Sequence, residues 1–320
     1  MDLRPKSNHT FNTVIETAKY PRVSVGIFTF NRCSALKRCL DSIAAQDYPL
    51  DRLELIIIDD ASTDATPKEI PAYLKDLERR SPIHTSYIRN PRNIQIAAAR
   101  RLFAEKVSYP IVAFIDDDVY LEADCLKVLI NYMVRHPSVG VIAPRCVYAA
   151  DPKKTAHSAN FVGTWTGRYW SKESNHPIQC DWVYSACCLA RKEVLEKTGG
   201  FWPGYYFSHE DVDFCLQAKR AGFGVVCHPD AVARHEVDLS QPKRKHLYYL
   251  YRNKLILIRR NFPLLRKIVA LSVVLFLGMP KYLLESIRFN KKAVWSEICL
   301  IFLSVWHGFL GKTGILKDAQ

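Results

Sequence analysis

Ile111-Val112-Ala113-Phe114-Ile115-Asp116-Asp117-Asp118 is the stretch that decides how this chain is read. Its first five residues are apolar and rich in β-branching, the make-up of a buried strand. Three adjacent carboxylates cannot continue into that strand's core, because an unpaired buried charge is costly. They belong at the strand's carboxyl end, where open α/β sheets bind ligands. Crowded carboxylates repel one another unless a cation sits among them, and oxygen-rich sites favour hard ions such as Mg²⁺ or Mn²⁺. The expectation is a metal-bound phosphate ligand, with a solvated acidic turn as the alternative.

Working outward, strand and helix patterns alternate. Val23 to Phe28 reads as a strand leading to Thr29-Phe30-Asn31-Arg32, and Leu36, Leu40 and Ile43 then recur at helical spacing. Leu53 to Ile58 is a second strand, ending in Asp59-Asp60, with a helix over Pro67 to Arg80. His84 to Arg89 reads as a strand and Asn93 to Lys106 as a helix. This alternation predicts a mainly parallel sheet with right-handed crossovers. Thr29, Arg32, Asp60 and Asp116 to Asp118 would then share one edge and one cleft. Beyond Asp118, a helix is expected over Glu122 to His136 and a strand over Val139 to Tyr148. Asp151 to Pro177 reads mostly as loop or irregular strand, and Trp182 to Arg191 as an apolar stretch. Ser208 and Asp211 suggest a capping box opening a helix that runs to Ala221, with Gly222 as its stop. Phe223 to Cys227 and Ala231 to Ala233 read as two short strands.

The net charge of +13 is unevenly placed. Residues 241–320 hold fifteen Lys/Arg against three Asp/Glu, or +12, which leaves the first 240 residues near +1. Ile268 to Met279 and Ala293 to Leu310 are apolar and flanked by Lys and Arg. The first is too short to span comfortably, and the second contains Glu297 and His307. Both suit helices lying in a headgroup region, with ordinary buried helices as the alternative. No recognised nucleic-acid-binding motif accompanies the charge, so nucleic acid is not expected as a partner. The ten cysteines contain no Cys-x-x-Cys pair and are expected to be buried reduced thiols. Met1 to Tyr20 carries no apolar signal core, so secretion is not expected and the Asn8-His9-Thr10 sequon carries no weight.

These landmarks, in this order, resemble the family 2 glycosyltransferases. The matching pieces are Val23 to Arg32, Ile57 to Asp64, Asn93 to Arg100, and Phe114 to Asp118. Gly199-Gly200-Phe201, His209-Glu210-Asp211-Val212-Asp213-Phe214 and His235 complete the set. The resemblance implies a GT-A, Rossmann-like, mixed and mainly parallel α/β sheet flanked by helices. It covers roughly 22–240, with a nucleotide-sugar half over 22–120 and an acceptor half over 121–240. An N-terminal extension (1–21) precedes it, and a basic, apolar, membrane-associating helical tail (241–320) follows.

The resemblance also implies roles. Thr29, Arg32 and Asp60 would line the base and ribose pocket, and Asn93 to Arg100 would contribute to the donor site. Asp116 and Asp117 would touch ribose or sugar, Asp118 and His235 would hold the divalent metal, Mn²⁺ or Mg²⁺, and Asp117 could replace either neighbour. Asp211 would be the catalytic base of an inverting transfer, with Glu210 and Asp213 as weaker candidates. Trp165, Trp170, Trp182 and Trp202 offer faces to an acceptor sugar. The expected substrates are a uridine or thymidine diphosphate sugar, with rhamnose and galactofuranose forms in view, and a glycan or lipid-linked glycan. The basic run Tyr251-Arg252-Asn253-Lys254 would pair with acceptor pyrophosphate or membrane phosphate, on the cytoplasmic face of a membrane. The rivals are a polyprenyl-phosphate glycosyltransferase and a membrane scaffold with an inactive transferase domain. Phe28, Gln95 and Arg101 depart from the family's usual proline, glycine and asparagine. The absence of a Gln-x-x-Arg-Trp segment argues against a processive synthase.

Overall fold

The computed structural model describes residues 20–236, 244–278 and 294–316. Nearly all of the expected N-terminal extension, with the Asn8 sequon, lies outside the described residues, as do 241–243, 279–293 and 317–320 of the tail. One sheet organises the rest. In chain order its main strands are β1 (Val23–Thr29), β2 (Leu53–Asp59), β3 (His84–Arg89) and β4 (Ile111–Asp116). Short β5 (Val119–Leu121) follows, then β6 (Val139–Tyr148) and β7 (Asp151–His157). β8 (Ala159–Val162) and β9 (Tyr169–Lys172) form a separate two-stranded sheet, and β10 (Ile178–Gln179), β11 (Cys187–Arg191) and β12 (Gly224–His235) rejoin the main one. The order across the sheet is β10-β12-β6-β11-β4-β1-β2-β3. β4, β1, β2 and β3 run parallel in sequence of neighbours, whereas β11 runs antiparallel to both β4 and β6.

The inner parallel strands β1, β2 and β4 are buried on both faces, as crossover helices require, whereas the edge strand β3 is largely exposed. Val23, Val25 and Ile27 alternate with Ser24, Gly26 and Phe28 along β1 and face opposite layers. On one face lie α1 (Cys33–Ala44), α2 (Thr66–Arg80) and α4 (Cys125–Arg135), whose Leu36, Leu40, Ile70, Leu74 and Leu129 join the first core layer. On the other lie α3 (Ile96–Ala104), α5 (Lys192–Thr198) and α6 (Glu210–Arg220), with Phe28, Phe103, Phe114, Phe201 and Phe214 at the centre of the second. The tail supplies α7 (Arg244–Asn261), α8 (Leu264–Val273) with a π-helical extension (Val274–Gly278), and α9 (Val294–Leu310). Ile256 and Leu257 of α7 enter the second core layer. Among the described residues, no helix is long and apolar enough to cross a membrane.

Several local expectations are corrected. The expected strands at Phe223–Cys227 and Ala231–Ala233 are one strand, β12, whose register shifts between His228 and Val232. The reading of Asp151 to Pro177 as mostly loop or irregular strand misses the regular strands β7, β8 and β9; β7 and β9 are largely exposed, and β8 is buried but only four residues long, so none shows a clean apolar alternation. α3 begins at Ile96 rather than Asn93, because Gln95 adopts a left-handed φ of 68°. There is no Ser208 capping box: Ser208 and His209 both have positive φ, and α6 opens at Glu210 with no side-chain cap. Asp213 is not on an exposed face but is 2% exposed, 3.2 Å from the Arg260 guanidinium. Nine cysteines are buried and free as expected, whereas Cys299 on α9 is exposed.

Gly26 lies in β1 where a Cβ would come within 2.6 Å of the Phe103 ring. Phe103 is fully buried and cannot swing away. Gly26→Ala should therefore cost about 1–3 kcal/mol of stability. A urea unfolding curve that matches the parent would refute this packing.

Candidate active site

Sheet register builds the site. In the parallel ladder Thr29 lies opposite Asp59 and Phe28 opposite Asp116, so the ends of β1, β2 and β4 share one edge. β5 turns back and pairs antiparallel with the end of β12, setting Val119 opposite His235. That brings His235 Nε2 to 3.3 Å from Asp118 Oδ1, although the two residues are far apart in sequence. A cleft of about 740 Å³ opens here. Of the expected residues, Thr29, Arg32, Asp60, Asn93, Arg100, Asp116, Asp117, Asp118, Glu210 and His235 all line it. Asp211 and Trp182 do not.

The three aspartates sit in three different environments. Asp116 is pushed up by burial, against the pull of the Arg100 guanidinium 2.7 Å away. Burial raises Asp117 to about 7, opposed by the Thr29 hydroxyl and Arg32. Burial also opposes ionisation of Asp118, but His235 and Arg32 outweigh it and hold the carboxyl below its ordinary value. Arg32 makes ion pairs with both Asp117 and Asp118. Asp117 Oδ2 and Asp118 Oδ1 are nevertheless buried without a hydrogen-bond partner. These unpartnered oxygens, on two carboxylates whose other oxygens pair with Arg32, are what a cation-binding position requires. Asp118 oxygen and His235 nitrogen suit Mn²⁺ or Mg²⁺ as two protein donors, leaving further positions for phosphate oxygen and water. Among the described residues no group of three His, Cys, Asp or Glu converges into a complete cage.

Sequence reasoning missed His157. Its Nε2 lies 2.9 Å from His235 Nδ1, and burial lowers its pKa to about 3, so it stays neutral. The hydrogen bond between His157 Nε2 and His235 Nδ1 fixes the His235 ring with its Nε2 edge towards Asp118. Nothing local in the sequence marks His157, since β7 brings it there through pairing with β6.

At the other end of the cleft, Asp60 Oδ1 accepts from Asn90 Nδ2 and Ile94 N–H, and Oδ2 accepts from Gln95 N–H. This carboxylate shapes the loop that leads into α3. It also accounts for the family's glycine at the Gln95 position, where φ is positive. Asp60 Oδ2 retains acceptor capacity towards the cleft.

Glu210 and Asp211 are successive on the first turn of α6 and diverge. Glu210 turns to the cleft and to Arg100 Nη1 at 2.8 Å. Asp211 faces Tyr169 and Tyr184, whose phenols its charge affects. Trp182 joins them, with ring centroids 5.5 Å from Tyr169 and 4.7 Å from Tyr184. Burial, reinforced by Glu210, raises Asp211 to about 8. The basic run is corrected in part: Arg252 is buried and donates to the backbone oxygens of Tyr205 and Gly314, so it is not free for phosphate. Lys254 Nζ sits 3.0 Å over the Tyr169 ring.

The sequence matches the family model "Glycosyl transferase family 2" over residues 24–199. The chain belongs to glycosyltransferase family 2. Glycosyltransferase AglE of Haloferax volcanii is 22% identical over 302 residues, covering 90% of this chain and 92% of that protein. Validoxylamine A glucosyltransferase of Streptomyces hygroscopicus is 28% identical over 140 residues, and the match spans only 31% of its length. Among solved structures, mannosyltransferase PcManGT of Pyrobaculum calidifontis, in complex with GDP-Man and Mn²⁺, superposes with a TM-score of 0.60 at 17% identity. It covers 92% of this chain and 88% of that one. S. aureus TarS 1-349 with UDP-GlcNAc gives 0.57 at 18% identity, over 91% and 81%. These likenesses show that this family 2 glycosyltransferase has the GT-A fold.

The Asp211 environment has a consequence for stability. An unfolded Asp loses its proton near pH 4, whereas folded Asp211 keeps it to about pH 8. Between these values the folded state binds more protons, so this group lowers stability as pH rises from about 4 to 8. Asp211→Asn cannot ionise. Its urea midpoint should fall less between pH 5 and pH 8 than the parent's; an equal fall would contradict the raised pKa.

Proposed function

We propose that this glycosyltransferase moves one sugar, with inversion, from a uridine or thymidine diphosphate sugar to a hydroxyl of a glycan or lipid-linked glycan. The observation that carries this reading is a pair of carboxylate stations in opposite electrostatic states. Asp118, beside His235, is held below the ordinary carboxylate range, whereas Asp211, buried and next to Glu210, is raised to about 8. Solved relatives of the same fold hold nucleotide sugars, and one of those complexes contains Mn²⁺.

In this reading, Asp60 Oδ2 accepts the imide N–H of the base, and Thr29 lines the base and ribose pocket. Asp118 and His235 Nε2 would hold a divalent ion, which neutralises charge on the departing diphosphate. Arg100 orients Asp116 and Glu210 around the sugar. Asp211 takes the acceptor hydroxyl's proton as that oxygen bonds to the anomeric carbon, while the bond to the diphosphate breaks and its electron pair leaves with the diphosphate. A base poised near 8 in the free enzyme matches proton transfer near neutral pH. Trp182, Tyr169 and Tyr184 supply apolar faces for the acceptor.

The membrane reading rests on the tail. Leu264, Leu265, Ile268, Phe276 and Leu277 are exposed on α8 and its extension, and Trp295, Phe302 and Trp306 on α9. With the basic excess of residues 241–320, these suit an anionic headgroup layer, consistent with a peripheral or monotopic enzyme.

The deciding experiment is donor calorimetry across nucleoside diphosphate sugars, with Mn²⁺ and then with chelator. Metal-dependent binding of one uridine or thymidine donor is expected, and no binding by any donor would defeat the reading. Asp211→Asn should lower kcat by about 10²–10⁴-fold with donor affinity retained, whereas His235→Ala and Asp118→Ala should abolish the Mn²⁺ dependence of donor binding. Undiminished turnover in Asp211→Asn would remove Asp211 as the base.

Leu264→Glu combined with Leu265→Glu alters only exposed positions. It should reduce co-sedimentation with phosphatidylserine vesicles at least fivefold while leaving the urea midpoint unchanged. Full retention on vesicles would move the membrane contact elsewhere.

A further inference from the structure

The cleft is not closed by the α/β sheet alone. Tyr206 and Phe207, from the loop before α6, line it together with Tyr249 of α7 and with Ile315 and Leu316, which follow α9. These residues come from three separate parts of the chain, yet they form one surface. The Tyr206 and Tyr249 rings stack at 4.9 Å. Tyr249 OH accepts from Leu316 N–H at 3.1 Å, and Gly314 N–H donates to Gly204 O at 3.3 Å.

A buried arginine binds this surface together. Arg252 is 1% exposed and donates from Nη2 to Tyr205 O at 2.7 Å and from Nη1 to Gly314 O at 2.5 Å. Its third bond, from Nε, goes to Asn253 Oδ1 at 2.9 Å. None of these acceptors is charged. Out of water, this guanidinium has only neutral oxygens and the Tyr248 and Tyr249 rings, 5.4 and 4.9 Å away, as partners, so moving residues 314–316 away would leave it unpaired at a high cost. What it fixes is the position of residues 314–316 against residues 203–207.

The surface stands at the base end of the cleft. Residues Pro203–Tyr205, just before Tyr206, pack against α3, whose start follows Gln95, the residue that donates its N–H to Asp60 Oδ2. Phe30, Asn93 and Gln95 line the same cleft.

We propose that residues Gly314 to Leu316, held by Arg252, form the outer wall of the nucleoside pocket, and that Ile315 packs on the donor's nucleoside rather than on its diphosphate. This rests on the reading of the cleft as a nucleotide site. Half of Ile315 is exposed in the free protein, leaving apolar surface for a base or ribose to cover.

The test uses the full chain with Mn²⁺ and measures, by calorimetry, the affinity of UDP, dTDP and GDP and of inorganic pyrophosphate. Ile315→Ala should raise the Kd of the tightest nucleoside diphosphate about tenfold, the loss of one to two buried methylene equivalents. Pyrophosphate affinity should stay within twofold. Ile315→Asp should raise the nucleoside diphosphate Kd further, and because the side chain is exposed both variants should unfold with the parent. Unchanged nucleotide affinity in both variants, or equal losses for nucleotide and pyrophosphate, would overturn the wall. Failure of the parent to bind any of the three nucleotides would instead overturn the nucleotide site itself.

Discussion

One buried guanidinium holds the two halves of the cleft in register. Arg100 is 2% exposed, and its Nη2 donates to Asp116 Oδ1 and to the Ser185 carbonyl, while Nη1 donates to Glu210. It therefore joins the end of β4, the approach to β11 and the start of α6. Phe28 and Phe201 lie against it at 5.6 and 5.5 Å, so the ion is packed as well as paired. Removing the guanidinium would leave Asp116 and Glu210 without their shared cation, at a cost of about 3–5 kcal/mol. The arrangement is thus hard to change in part, and the distance from the Asp118 end of the cleft to Asp211 is set by it. Phe28 stands where the family usually has proline, and its ring is part of this packing.

That rigidity lets neighbouring carboxylates differ. Asp116 spends its charge on Arg100, Asp117 is raised to about 7, and Asp118 is held ionised by His235 and Arg32. If all three were equally solvated they would titrate together and compete for the same cation. Burial separates them, so Asp118 stays ionised beside His235 while Asp117 keeps a proton near neutrality. Asp211 is separated more strongly still, because Glu210 beside it adds its charge to the effect of burial.

The fold was legible because parallel strands leave a strong local trace. β1, β2 and β4 are mostly apolar, β-branched runs ending in polar residues, and the sheet edge followed from them. The cleft residues at those strand ends were legible for the same reason. β7 to β9 were not, because β7 and β9 are largely exposed and β8 spans only four residues, so none carries a period that distinguishes it from loop. His157 and the Arg252 bonds were invisible for another reason. Each depends on pairing or packing between segments dozens of residues apart, which no local spacing encodes. Gln95 shows an intermediate case: its departure from glycine was visible in the sequence, but the positive φ that makes glycine usual there was visible only in the structure.

The basic tail is where composition misled most. Its charge and apolar runs suggested an appendage, but α7 is built into the catalytic body. Tyr206, Ser208 and His209 all have left-handed φ, at 67°, 67° and 71°. Such non-glycine residues cost about 1–3 kcal/mol each and persist only where the surroundings over-determine them. Asn253, fully buried, donates from Nδ2 to the carbonyls of Tyr205, Phe207 and Ser208, and Arg252 adds its bond to Tyr205. These bonds hold the strained loop that delivers Glu210 and Asp211 to their two sides of α6. The same helix thus constrains the first turn of α6, while α8 and α9 beyond it present apolar side chains outward. A truncation before α7 or within it would remove the loop's clamp along with any membrane contact, so only substitutions at the exposed positions of α8 and α9 can separate the two roles.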